Sequence, residues 1–209
     1  MAKRATKEII LNVALELFSV SGYQGVSVAD IAEATGIKAA SLYKHYKSKQ
    51  AIFDAILAKA TAEYQMMANQ LGVDGLDSDN DIANYERMEL EELINIGQAM
   101  FHYFLHDETA QRLRRMLTIE QYQNPTVSQL FTQQYIREPL LYQSSLFGVF
   151  IKQGLMKEVE SQVMAMHFYA PIYLLLCLCD NDPLAEKEAH VILKRHIIQF
   201  NQLYRKETK

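Results

Sequence analysis

Residues 26–49, VSVADIAEATGIKAASLYKHYKSK, constrain this chain more than any other stretch. Ser27 followed three positions later by Asp30 is a capping pair: the hydroxyl accepts from a free amide of the first helical turn, and the carboxylate answers on the cap's own amide. A short helix over 27–34 follows, with Val28, Ile31 and Ala32 on one face. Thr35 and Gly36 end it, because glycine adopts a positive φ at little cost, and a second short helix restarts near Lys38.

The second helix has an unusual surface. Only Leu42, with Ile37 just before it, is clearly apolar, while Lys38, Ser41, Tyr43, Lys44 and His45 are polar or cationic. A helix of that kind is not buried. Small Ala39 and Ala40 leave its front bare, which suits an element that enters a DNA major groove and brings its backbone close to base edges. A surface helical hairpin with no nucleic-acid partner would carry the same local marks, so the residues alone leave both readings open.

Residues 10–57 resemble the DNA-binding domain of TetR-type transcriptional repressors. The resemblance rests on Leu17, Phe18, Gly22, Tyr23, Ser27, Val28, Asp30, Ile31, Ala32, Gly36, Ser41, Leu42, Tyr43, His45, Tyr46, Ser48 and Lys49, all in register. Two positions depart from the family pattern: Lys38 stands where a serine or threonine cap is usual, and Tyr46 where phenylalanine is usual. The resemblance implies an all-α protein, with a helix-turn-helix domain over 1–63 and an effector-binding and dimerisation domain over 64–209. It implies a DNA-facing set of Ser27, Lys38, Ala39, Ala40, Ser41, Tyr43, Lys44, His45 and Lys49. Within that set Tyr43, His45, Lys49 and Ser27 are assigned to phosphates, and Lys38, Ala39, Ser41 and Lys44 to base edges.

The charge distribution agrees with such a division. The 209 residues carry a net charge of −4, which argues against a general nucleic-acid coat. Yet residues 1–59 hold eight Lys or Arg against five acids, or +3, so the remainder holds −7. An acidic remainder belongs away from phosphate. With 49% hydrophobic residues the chain is long enough for one large or two small cores. Two cysteines, Cys177 and Cys179, imply no disulfide framework, and a cytoplasmic location is expected. Asn12 and Glu16 interrupt any signal-peptide core, and the apolar run 163–179 is short for a membrane span, so a buried helix and no membrane partner are expected.

Along the chain, a first helix over 3–21 turns Ile10, Val13, Leu17 and Phe18 inward, and the cationic stretch 1–4 before it reads as a solvated terminus or as an arm over a phosphate or minor groove. Ser48 caps a long fourth helix to about residue 70, with Ile52, Phe53, Ile56 and Leu57 facing the helix-turn-helix. Residues 72–81 read as a loop whose aspartates lack the glycine and final glutamate of a calcium site. Helices are expected over 82–106, 109–121, 126–153, 159–180 and 184–206, with Pro139 kinking or dividing the third of these and Pro171 bending the fourth.

The C-terminal half is rich in aromatic and methionine side chains, which suit an apolar cavity and equally an ordinary core. Phe101, His102, Met116, Tyr122, Tyr135, Tyr142, Phe147, His167 and Phe168 are the candidates for contact with a partly apolar small-molecule effector. His102 and His106 share a helix face as a metal pair would, but no third ligand is marked, so no metal and no cofactor is expected. Arg112, Arg114 and Arg115 read as a solvated face with ion pairs to acids such as Glu108. No phosphate loop or nucleophile elbow appears, so enzyme activity is not expected. The last two helices are apolar enough to need another surface, and in TetR-type proteins such a pair builds the dimer. The expectation is a ligand-responsive, DNA-binding homodimer acting as a repressor at a double-stranded operator; the alternative is an all-helical ligand-binding or protein-interaction module without DNA.

Overall fold

The structure, a computed structural model, describes the backbone of residues 2–206 and the side chains of residues 6–206. Among these residues there are eleven α-helices and no strand: α1 (Ala2–Ser21), α2 (Val28–Ala34), α3 (Ala39–Leu42), α4 (Lys49–Gln70), α5 (Ser78–Arg87), α6 (Leu90–His106), α7 (Glu108–Glu120), α8 (Pro125–Thr132), α9 (Glu138–Lys152), α10 (Ser161–Asn181) and α11 (Glu186–Tyr204). Two compact units emerge: Met1–Tyr64 with Asp107–Gln133, and Gln65–His106 with Gln134–Lys209. The first unit thus recruits a segment, 107–133, that lies C-terminal to the 63/64 boundary drawn from the sequence. The arm read at 1–4 falls outside the described side chains, and its residues 2–4 continue the α1 backbone.

In the first unit, α1 buries Ile10, Ala14, Leu15 and Phe18, while Val13 and Leu17, expected inside, are only half-buried. The face is turned because α7 packs along α1, a partner no local pattern announces. α7 brings Leu113, Met116 and Leu117 fully into this core. It also brings Arg114, 1% exposed, and Glu120, 3% exposed, so only Arg112, which pairs with Glu108 at 3.4 Å, and exposed Arg115 keep the solvated role expected of that cluster. α4 adds Ile52, Phe53 and Ile56.

In the second unit, α5 begins four residues before the expected helix start, and acidic side chains are the reason. The Asp77 carboxylate accepts from Asp79 N–H at 3.0 Å and caps the helix. Asp81, fully buried, accepts from the amides of Asp74 at 2.6 Å and Gly75 at 2.8 Å. The aspartate-rich run is therefore half loop and half helix start. The helix expected over 82–106 is interrupted at Met88–Glu89, where Glu89 N–H donates to the Glu92 carboxylate.

Pro139 acts as expected. It lacks an amide and its ring would collide with the carbonyl four residues back, and a π-helical turn over Gln133–Arg137 lies where α8 would otherwise run into α9. The Tyr135 carbonyl, left without that donor, accepts the Tyr169 hydroxyl at 2.8 Å instead. α10 continues through Pro171 as a single helix. By length and composition α10 could cross a membrane, but it packs on α9 and α11 and buries Met164, Ala165, Leu175, Leu176 and Cys179. Its opposite face, with Val163, Met166 and Leu174, is exposed in the single chain, so the expected full burial holds for one side only. α6 and α11 approach closely because Gly97 has no Cβ: one built there would stand 2.6 Å from Ile197 Cδ1.

Candidate functional site

The helix-turn-helix is held by local bonds. Ser27 Oγ accepts from Asp30 N–H at 3.1 Å and the Asp30 carboxylate accepts from Ser27 N–H at 2.7 Å, completing the capping box. That backbone bond to Ser27 holds the Asp30 carboxyl below its usual range. At the other end Gly36, with φ +69°, lets Gly36 N–H reach Glu33 O and Ile37 N–H reach Ala32 O, each at 3.0 Å. This pair of bonds turns the chain into α3. Lys38 precedes α3 without a side-chain cap, since an ammonium offers no acceptor. Only four residues are α-helical; beyond Leu42, the fully buried anchor, the chain continues in looser turns.

Lys38, Ala39, Ala40, Tyr43 and Lys44 are exposed around that anchor, and Ser41 is half-buried. Ser27 is exposed, and with its oxygen accepting in the cap its hydroxyl proton remains available to an acceptor. His45 turns partly inward, its Nδ1 buried without a partner.

Lys49 is bonded within the domain. Its Nζ donates to Tyr23 O at 2.8 Å and Val26 O at 2.9 Å and lies 4.3 Å from the centre of the Tyr23 ring. Burial pushes its pKa down, against the pull of Glu120 and Asp30. The ammonium ties the start of α4 to the loop before α2. Two of its three N–H bonds are thereby made within the domain, which leaves one for the phosphate contact that the resemblance implies. Tyr23 is fixed in turn by the Phe18 and Phe53 rings, with centroids 5.3 and 5.1 Å away, and by donation to Gln50 Oε1 at 3.1 Å. Glu120 of α7, which no sequence signal marked, accepts from Gln24 N–H at 3.4 Å and bears on the same loop.

The second unit contains a cavity of about 230 Å³. Of the nine residues proposed for effector contact, Phe101, Phe147 and Phe168 line it, joined by Met100, Phe104 and Phe200. Its polar groups are few: Glu86, Gln143, Asn201 and Arg205 stand among them, none marked by the sequence because a polar residue in a charged helix carries no sign of what it faces. The other six candidates go elsewhere. Met116 is core of the first unit, and Tyr122 is 88% exposed. Tyr142 donates its hydroxyl to Asp81 at 2.6 Å and is pushed up in pKa by burial and by Tyr85. Burial likewise pushes Tyr85, which lines the cavity, up to about 12. Tyr135 is buried with its carbonyl on Tyr169, and His167 pairs through Nδ1 with the Tyr204 hydroxyl. His102 is exposed outside the cavity, against His106.

A capped helix-turn-helix in one unit and a small apolar cavity in a helical bundle define the class: an all-helical fold of two units. Residues 10–56 match the model of the family described as bacterial regulatory proteins, tetR family, so this segment is similar to the DNA-binding domain of that family. It is 32% identical over 119 residues to MftR of Mycobacterium tuberculosis, assigned as a mycofactocin biosynthesis transcriptional regulator; the match covers 57% of this chain and 54% of that protein. It is 46% identical over 48 residues to IcaR of Staphylococcus aureus, a negative transcriptional regulator of the biofilm operon icaADBC, covering 23% of this chain and 26% of IcaR. The chain thus spans about half, or less, of these relatives' length. Among solved structures it superimposes on a complex of SmeT with triclosan, SmeT being the repressor of the Stenotrophomonas maltophilia efflux pump SmeDEF, with TM-score 0.65, 17% identity and coverage of 97% and 93% of the two chains. That likeness establishes the fold.

Proposed function

We propose that this protein is a sequence-specific DNA-binding repressor that works as a homodimer in the cytoplasm and is released from its operator by a small, largely apolar molecule; it is not an enzyme. The observation that carries the DNA reading is the exposed face of α3, where Lys38, Ala39, Ala40, Tyr43 and Lys44 surround a buried Leu42 on a locally capped frame. Lys38, Ala39, Ser41 and Lys44 meet base edges, Tyr43 and the Ser27 hydroxyl meet phosphates, and Lys49 and the inward nitrogen of His45 position this head.

Dimerisation is supported by the uncovered apolar residues Val163, Met166, Leu174 and Leu178 of α10 and Val191 and Leu203 of α11. A two-fold pairing of such faces presents two heads to half-sites about 34–36 Å apart. The cavity is small for a ligand site and rich in Phe, so it suits a compact aromatic effector with one or two polar substituents. α4 is the mechanical element: it is one helix that puts Ile52 and Ile56 into the first core and Ala68 into a cluster with Ile96, Met88 and Met100, three of them cavity residues. A ligand that binds better when that end of α4 is displaced favours the conformation unable to reach both half-sites.

Fluorescence anisotropy with the DNA upstream of the protein's own coding region, at stated salt, tests this. Binding in excess of random-sequence competitor by about 10³-fold or more is expected; equal affinity for both at moderate ionic strength would sink the proposal.

A further inference from the structure

A second group of side chains in the C-terminal unit shares no residue with the cavity. His102 and His106 lie one turn apart on α6, their ring centroids 4.3 Å from each other. α11 faces them with a second pair at the same spacing, Glu186 and His190. Glu186 Oε1 lies 2.7 Å from His106 Nε2 and 3.7 Å from His190 Nε2. One donor atom each from His102, His106 and Glu186 fall within 4.8 Å of one another. The third ligand that the sequence did not mark comes from 80 residues further along the chain.

Gln98 fixes what His190 presents. Its side-chain amide nitrogen donates to the His190 backbone carbonyl at 2.8 Å, which turns its own carbonyl oxygen onto His190 Nδ1. A carbonyl oxygen only accepts, so Nδ1 carries a proton, which leaves Nε2, the nitrogen on the Glu186 side, as the one able to ligate. A simple surface ion pair accounts for one imidazole on this carboxylate, whereas three surround it.

We propose that His102, His106 and Glu186, with His190 as fourth ligand, bind one divalent late transition-metal ion of the zinc class. Imidazole nitrogens with a single carboxylate suit Zn²⁺ rather than Mg²⁺ or Ca²⁺, which call for oxygen ligands. A tetrahedral ion with ligands at about 2.0–2.1 Å draws donor atoms to about 3.3 Å from one another. Small rotations of two exposed imidazoles supply that contraction. Gln98 is the outer partner that holds the ligating tautomer of His190. The bound ion would pin the last turn of α6 to the first turn of α11, and Asp107, directly after His106, is where the chain begins its second contribution to the N-terminal unit.

The test uses untagged full-length protein and Zn²⁺ alone, titrated calorimetrically near neutral pH, with Co²⁺ absorption as a second reading of the ligand field. One ion per chain and a metal-dependent rise in melting temperature are expected. The variant His102→Ala/His106→Ala should bind at least about 100-fold more weakly, and Gln98→Ala, which removes no ligand, about 10–100-fold more weakly. Circular dichroism serves to establish that both variants fold. No Zn²⁺ binding by the native protein, or a loss of less than about tenfold in the double variant, would overturn the site.

Discussion

The two compact units are built by different kinds of bond, and the contrast explains which parts of the molecule its sequence discloses. In the N-terminal unit the segment from α2 through the turn to α3 is shaped by partners three to five residues apart: Ser27 with Asp30, Gly36 with Glu33, Ile37 with Ala32. In the C-terminal unit the deciding polar bonds are distant. Tyr142 reaches Asp81 across 61 residues, His106 reaches Glu186 across 80, and Gln98 reaches His190 across 92. A locally encoded head can keep its form while the rest of the chain changes. The 48-residue match to IcaR fits that view, as does the shared fold at 17% identity with SmeT.

The sharpest way to break this comparison is to remove a distant bond. Asp81 is fully buried and accepts from two amides and from the Tyr142 hydroxyl. Asp81→Ala strands all three donors and should lower stability by about 3–5 kcal/mol, the range seen when one partner of a buried charged network is deleted. Asp81→Asn keeps an acceptor and should cost less. Urea unfolding of the two variants measures both, and a loss below about 1 kcal/mol for Asp81→Ala would mean that the C-terminal unit does not depend on this link.

A smaller effect separates two lysines of the head. Lys49→Ala removes charged donors from the Tyr23 and Val26 carbonyls and should cost about 1–2 kcal/mol of stability, discounted because the side chain is partly solvated. The salt dependence of DNA binding should change little. Lys44→Ala, at an exposed position, should leave stability unchanged, and a reduction of the salt slope by about 1 would shift Lys44 from base edge to phosphate. If Lys49→Ala instead lowers the slope by about 1, its ammonium leaves the two carbonyls when DNA binds.

Lys49 also marks a limit of the sequence reading. Its position in the family pattern spoke for phosphate, while its distance to two carbonyls speaks for a tether; only coordinates carry the second fact. The capping residues Ser27, Ser48 and Gly36 were legible because a cap is a short-range device with few acceptable side chains. Pro139 was legible for the same reason. Asp81 was not, since an aspartate in an acidic loop carries no local sign of the amides it will collect. Phe101, Phe147 and Phe168 line the cavity, but Met116 and Tyr142 have the same character and helical spacing and sit in the first core and on Asp81. A cavity is the space that several helices fail to fill, and helical periodicity within one of them does not encode it. Glu186 is the extreme case: its partner His106 lies 80 residues away on another helix, and no local pattern joins the two.

The smallest expected effect tests the local half of the comparison. Ser27→Ala deletes the capping hydroxyl and should lower the stability of the head by about 1 kcal/mol. Asp30 contributes to the same cap in a pH-dependent way. Its carboxyl titrates below its ordinary value in the folded protein because Ser27 N–H bonds the ionised form. The folded state therefore binds that proton less readily than the unfolded chain. The contribution of Asp30 is full above the ordinary carboxylate range and is lost as pH falls through the depressed folded value. Asp30→Asn should thus destabilise the protein at neutral pH, with a deficit that shrinks in acid as the native carboxylate is itself neutralised. Urea unfolding at neutral and acid pH reads the difference. A deficit that does not change with pH would show that Asp30 acts through something other than its charge, and the capping box would then not be the bond that starts α2.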